Sequence, residues 1–227
     1  MPVVLFDLDG TLTDSAPGIL GGLRFALVEM GAHVPPEAEL RKFLGPPLAV
    51  TFAEQFGFDS RQIDEAIAHY RRYYHHGGEL ENRVYEGIPG VLDALLDADV
   101  TLAVATSKPT VSASRILEHF DLAEAFTVIA GAELDGSRQH KADVIAHALQ
   151  ELRVQSRLTA AQVEAGDVHM VGDREHDVLG AAAHGIGTLG ALWGYGSETE
   201  LRAAGAQTLV DHPAALIGEF TARGVLG

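Results

Sequence analysis

The chain has 227 residues, a formal net charge of −16 and no cysteine. An acid excess of that size excludes a grip on nucleic acid polymers, whose phosphates are held by clustered Lys and Arg, and the missing cysteines exclude disulfides and thiolate metal sites. No apolar run is long enough to span a bilayer, and the opening Met-Pro-Val-Val-Leu-Phe-Asp has no basic leader, so a cytoplasmic protein without membrane partners is expected.

Val3 to Asp7 is a short branched apolar run and reads as a buried parallel strand. From residue 15 to about 85 the pattern turns helical. Gly18 to Met30, Pro36 to Phe43, Leu48 to Phe56 and Ser60 to His75 are candidate helices, with no convincing strand among them. Gly77-Gly78 and the stretch Tyr85 to Gly90 read as exit turns. Strands and helices then alternate. Strands are expected at Leu102 to Ser107, Thr127 to Ala130, His169 to Asp173, Gly187 to Leu192 and Thr208 to Val210. Helices are expected at Gly90 to Leu96, Thr110 to His119 and Ala142 to Leu152. This order predicts an α/β fold with a Rossmann-like, three-layer core around an open parallel sheet, built from residues 1–14 and 86–227. An α-helical cap domain is inserted at residues 15–85.

Ligands of open parallel sheets sit beyond the carboxyl ends of the strands, and polar residues cluster there in this sequence. The first strand ends in Asp7-Leu8-Asp9-Gly10-Thr11, two carboxylates two residues apart followed by a glycine that permits a sharp turn. Such charges repel unless a cation or a proton relieves them. Gly172-Asp173 ends another strand, and Asp177 follows one helical turn later. A helix cap explains one aspartate of this kind, but not four carboxylates at the ends of two strands. Oxygen ligands of this type suit Mg²⁺. Thr106 and Ser107 offer a hydroxyl and backbone amides where a helix starts, and Lys141 could supply positive charge to a phosphoryl group.

The ordered set of Asp7-Leu8-Asp9-Gly10-Thr11, Thr106-Ser107, Lys141 and Gly172-Asp173 with Asp177 resembles the haloacid dehalogenase superfamily, in the branch with a helical cap after the first strand. The segments Ala105 to Pro109, Phe43 to Leu48 and Trp193-Gly194-Tyr195-Gly196 are similar to phosphoglycolate-phosphatase-like and 5′-nucleotidase-like members. One departure is Ser107, where many relatives carry Asn.

The resemblance implies a phosphatase acting on a small phosphate monoester. Asp7 is then the nucleophile that becomes an aspartyl phosphate, and Asp9 the general acid and base. Mg²⁺ is held by Asp7, the Asp9 backbone carbonyl, Asp173 and Asp177, and the phosphate by Gly10, Thr11, Thr106, Ser107 and Lys141. It places specificity in the cap, with Arg41, Lys42 and the Gly45-Pro46-Pro47 turn as candidates.

Asp9 argues against dehalogenation and phosphonate cleavage, which by the family pattern lack that second aspartate. A sugar-phosphate mutase keeps both aspartates and remains the enzymatic alternative. A phospho-accepting signalling domain would be about half this length and would give Asp9 no work. His69, His75 and His76 match no zinc spacing and are expected, with Tyr70, Tyr73 and Tyr74, on a partly exposed helix face.

Overall fold

The protein is described here from a computed structural model covering residues 1–44, 48–133 and 138–226. The Gly45-Pro46-Pro47 turn lies outside the described residues. By chain contacts the protein divides into two compact units, Met1–Thr13 with Val84–Gly227 and, between them in sequence, Asp14–Arg83.

In chain order the elements begin with β1 (Val3–Phe6), β2 (Thr13–Asp14), α1 (Ala16–Glu29), α2 (Glu37–Leu40), α3 (Leu48–Phe56), α4 (Ser60–His75) and β3 (Arg83–Val84). They continue with α5 (Ile88–Asp97), β4 (Thr101–Pro109), α6 (Thr110–His119), β5 (Val128–Ala132) and α7 (Lys141–Val154). The last are α8 (Ala160–Ala165), β6 (Val168–Gly172), α9 (Glu175–Ala182), β7 (Gly187–Ala191), α10 (Glu198–Ala204), β8 (Thr208–Val210) and α11 (Leu216–Ala222). The expected strands and helices are present with ends shifted by at most two residues, except that the helix expected over Pro36 to Phe43 is α-helical only over Glu37–Leu40 and continues as a 3-10 turn over Arg41–Phe43. The two-residue strands β2 and β3 pair with each other and are too short to leave a periodic signal.

Six strands form one parallel sheet in the order β5-β4-β1-β6-β7-β8. All four residues of β1 are fully buried. Successive strand side chains point to opposite faces, so both faces of the sheet are covered at its centre. Val3 and Leu5 join Ala103, Ala105 and Met170 against the Val144, Ile145 and Ala148 face of α7 in one apolar cluster. Burying each of the Val, Leu, Ile and Met side chains among these stabilises the fold by roughly 1.5–3 kcal/mol relative to exposure. Val4 and Phe6 point to the opposite face, where Phe6 meets Phe126 edge-on with ring centres 6.4 Å apart.

The order has a consequence for function. β1 pairs with both β4 and β6, and from it the connections run outward in opposite directions. The carboxyl ends of these three strands are therefore neighbours at a switch point, where open α/β sheets place their ligands.

The Asp14–Arg83 unit is helical apart from its strand ends, and α1 packs on α4. A side chain at Gly22 would run into the ring of Tyr70, so the glycine lets the two helices meet closely. Tyr70 and Tyr74 stack on each other 5.5 Å apart and are buried, while His75 and His76 are exposed. The face is thus partly exposed, as expected. Asp59 and Gln62 close a capping box at the start of α4.

Candidate active site

Asp7 follows β1 directly, and its backbone amide bonds to the Val171 carbonyl of β6 at 2.9 Å. Its carboxylate accepts from the Leu8 amide at 2.7 Å and from the Lys141 ammonium at 2.9 Å, both on Oδ1. Asp173 follows β6, and Asp177 stands in the first turn of α9, where its Oδ2 accepts from the Arg174 amide at 3.0 Å. One oxygen each from Asp7, Asp173 and Asp177 lies within 4.8 Å of the others, and all three residues are buried. Three buried all-oxygen ligands fit a hard divalent cation.

Lys141 begins α7 and is buried. Its ammonium bridges Asp7 and Asp177, at 2.9 and 2.6 Å, and donates to the Ala105 carbonyl at 3.0 Å. Two of the three clustered carboxylates thus share one ammonium. Burial pushes the Asp7 carboxyl up to about 6; Lys141 pulls against this, and the Asp177 and Asp9 charges add to the rise. Asp173 is raised well above its ordinary value by burial first, then by Asp177 and Asp7. Burial alone would lower Lys141, but the Asp177 and Asp7 charges override it and hold the ammonium above the usual lysine range. The site carries more negative charge than it can comfortably hold without a further cation.

Gly10 has φ of 83°, a left-handed conformation that favours glycine, and a side chain there would strike the Asp173 carboxylate. The Thr11 hydroxyl donates to Asp173 Oδ1 at 3.3 Å. Thr106, toward the carboxyl end of β4, is buried, and its hydroxyl accepts from the Lys108 amide at 3.2 Å. Ser107 is exposed. Asp9 pairs with the Lys108 ammonium at 2.9 Å. The fold therefore gathers Asp7, Asp9, Gly10, Thr11, Thr106, Lys141, Asp173 and Asp177 at adjoining strand ends. His140 and His176 are exposed.

Two contributions escaped the sequence. One is Lys108, which carried only a place in the resemblance. The other is the segment Trp193 to Gly196, which fastens the site. The Tyr195 amide donates to Asp173 Oδ2 at 2.7 Å, and the Trp193 indole donates to the Thr11 carbonyl at 3.0 Å. Side chains at Gly194 or Gly196 would collide with Asp173. A backbone donor leaves no mark in a sequence. The paired glycines were the available sign of close approach.

In the Asp14–Arg83 unit, a cavity of about 600 Å³ is lined by Arg24, Phe25, Glu37, Arg41, Tyr73 and Arg83, among others. Glu37 pairs with Arg24 at 2.8 Å and Arg41 at 3.3 Å. Lys42 is exposed. Among the described residues, no helix is long and apolar enough to cross a membrane.

The haloacid dehalogenase-like hydrolase family matches residues 4–191, and the chain belongs to that family. It is 45% identical over 202 residues to a 5′-nucleotidase of Pseudomonas aeruginosa, covering 89% of this chain and 87% of that one. It is 48% identical over 195 residues to the tyrosine-protein kinase PtkA of Mycobacterium tuberculosis, covering 86% of this chain but only 63% of the kinase. The crystal structure of a predicted phosphatase from Clostridium acetobutylicum superposes with a TM-score of 0.84 at 42% identity, covering 97% of this chain and 98% of that one.

Proposed function

We propose that this phosphoric monoester hydrolase of the haloacid dehalogenase-like family works by double displacement through Asp7. The observation that carries the reading is the setting of Asp7: a buried carboxylate at a switch-point strand end, beside one ammonium and two further carboxylates. Asp7 attacks phosphorus as the bond to the leaving oxygen breaks, and Asp9 protonates that oxygen. Asp9 then takes a proton from the water that splits the aspartyl phosphate. Thr106, Ser107 and Lys141 hold the phosphoryl oxygens beside the Gly10–Thr11 turn, whose own amides donate to the Thr13 and Leu8 carbonyls. Mg²⁺ is the proposed cation, held by Asp7, Asp173, Asp177 and the Asp9 carbonyl. Once bound, it supplies the positive charge that lets a phosphate dianion approach Asp7.

The helical unit is read as the family's cap domain, which selects the leaving group, and the protein as cytoplasmic. Nucleoside 5′-monophosphates are the first candidate substrates, a choice supported by the P. aeruginosa relative. Phosphoglycolate and similar small phosphate esters come next. The test is a panel of phosphate monoesters ranked by kcat/KM, with acid quench to trap label on Asp7. Isomerised substrate without phosphate release would favour the mutase alternative instead.

The kinase among the relatives supports a second reading, in which a tyrosine hydroxyl replaces water as acceptor and ATP is the donor. Phosphotyrosine formed from labelled ATP, and lost in Asp7→Asn, would favour it.

A further inference from the structure

We propose that Lys108 is a positioning residue for Asp9, holding its carboxylate in the one orientation from which the leaving oxygen can be protonated. The proposal rests on the acid–base reading of Asp9 given above.

The local backbone and the burial of the side chain hold this lysine in place. Its backbone is pinned within β4 by the Thr106 hydroxyl, which accepts from the Lys108 amide at 3.2 Å. The register between β4 and β5 shifts there, between Ala105 and Pro109. On β5, Gly131 lies against the Lys108 carbonyl so closely that any side chain would collide with it. The lysine side chain is only 8% exposed, which is unusual for lysine, and its ammonium lies 2.9 Å from Asp9 Oδ2.

The other oxygen of Asp9 gives the pairing its purpose. Oδ1 is buried and has no hydrogen-bond partner among the described residues. A carboxylate with one orphaned oxygen would gain by rotating toward solvent or another donor, unless something held it. The ammonium on Oδ2 provides that hold. A side chain about 1 Å out of place can cost a catalytic group most of its effect. Lysine is suited to this task because its long stem is held by burial, so that the charged donor at its end fixes position through charge as well as through the hydrogen bond.

The experiment compares Lys108→Met, Lys108→Arg and Asp9→Asn on two substrates, an alkyl phosphate and p-nitrophenyl phosphate. The value of kcat/KM reports events through the first irreversible step, here transfer to Asp7. Only the alkyl ester needs its leaving oxygen protonated. Lys108→Met, which keeps the buried stem, should lose ~10–100-fold in kcat/KM on the alkyl ester but under ~3-fold on the nitrophenyl ester. Lys108→Arg should recover part of the loss, and combining Lys108→Met with Asp9→Asn should cost little more than Asp9→Asn alone. Thermal melts confirm that each variant is folded. Equal losses on both esters, with weaker inhibition by inorganic phosphate, would instead make Lys108 a phosphate ligand and overturn the proposal. Unchanged kinetics in folded Lys108→Met would overturn it too. If Asp9→Asn shows no dependence on the leaving group, the acid–base reading fails first, and Lys108 falls with it.

Discussion

Lys141 and Asp7 form an ion pair of 2.9 Å that is almost sealed from solvent. Such a pair is not evidence of stability, because both ions lose their hydration. Removing one partner, however, leaves an uncompensated buried charge. Lys141→Met should therefore lower activity by at least ~10²-fold and destabilise the metal-free protein by about 3–5 kcal/mol at neutral pH. Denaturant melts and kcat together check this. Full stability with lost activity would mean that the lysine serves only the phosphoryl group.

The opposite sign is expected at the other end of that pair. Burial moves the Asp7 carboxyl from 3.8 to about 6, so its charge is disfavoured in the fold. Between those values the folded chain holds a proton that the unfolded chain releases, and stability falls as pH rises through the window. Above pH 6 the cost is on the order of 3 kcal/mol. Asp7→Asn removes it but also takes a partner from Lys141. The metal-free variant should be more stable than wild type by ~1–2 kcal/mol at pH 7.5, with the gain gone near pH 4. Turnover should drop by ~10³-fold or more, because an amide is a poor nucleophile. Melts in EDTA at both pH values, with kcat alongside, are the measurement; a variant less stable at pH 7.5 would contradict the argument.

Chelation should abolish activity without unfolding the chain, since the apolar cluster on β1 and α7 owes nothing to a cation. Returning Mg²⁺ should restore turnover and raise the melting temperature, by about 2.7 kcal/mol of stabilisation at a hundredfold excess over Kd. Full activity after exhaustive chelation, verified by elemental analysis, would remove the metal from the mechanism.

Much of this was legible in the sequence, for reasons that also explain the omissions. Val3 to Phe6 reads as a strand because every residue in it is apolar and buried on both faces. Asp7 and Asp173 then fall at strand ends by counting alone. What counting cannot supply is pairing across the chain. Thr11 meets Asp173 across 162 positions of sequence, and no periodicity announces it. Lys108 follows the expected strand end at Ser107, and β4 changes register between Ala105 and Pro109, so alternation along the strand does not tell where its side chain goes. The short helices α8 and α10 were missed although Thr159 with Gln162 closes a capping box and the Ser197 side chain caps Glu200. Too few residues follow each cap to show a helical face.

The clamp on Asp173 gives a steric prediction. A methyl group at Gly194 would meet the Gly10 carbonyl and the Asp173 side chain, neither of which is free to retreat. Gly194→Ala should cost ~1–3 kcal/mol and displace Asp173, so activity should fall more than stability suggests. Gly218 lies in α11 with nothing near its missing side chain, and Gly218→Ala should leave activity alone and stabilise by ~0.5–1 kcal/mol. Melting temperature and kcat for the two variants decide the matter. A harmless Gly194→Ala would show that the loop can yield.

Asp9 gives the sharpest test of the chemistry. Its proposed metal contact is a backbone carbonyl, so Asp9→Asn should leave Mg²⁺ binding largely intact by calorimetry. The amide can neither give nor take the proton. Alkyl phosphates, whose leaving group departs poorly as an anion, should therefore lose ~10²–10⁴-fold in kcat/KM. With p-nitrophenyl phosphate the leaving group is a stable anion, and phosphorylation of Asp7 should survive. The second half of the reaction still needs a base for water, so the aspartyl phosphate should build up. The signature is a burst of nitrophenol close to one per chain, slow turnover after it, and labelled protein on acid quench. Equal loss on both esters without trapped label would move Asp9 to a metal-binding role. Unchanged hydrolysis of the alkyl ester would count against the whole mechanism, because no other carboxyl among the described residues at the site stands free of both the Lys141 pair and the Asp173 clamp.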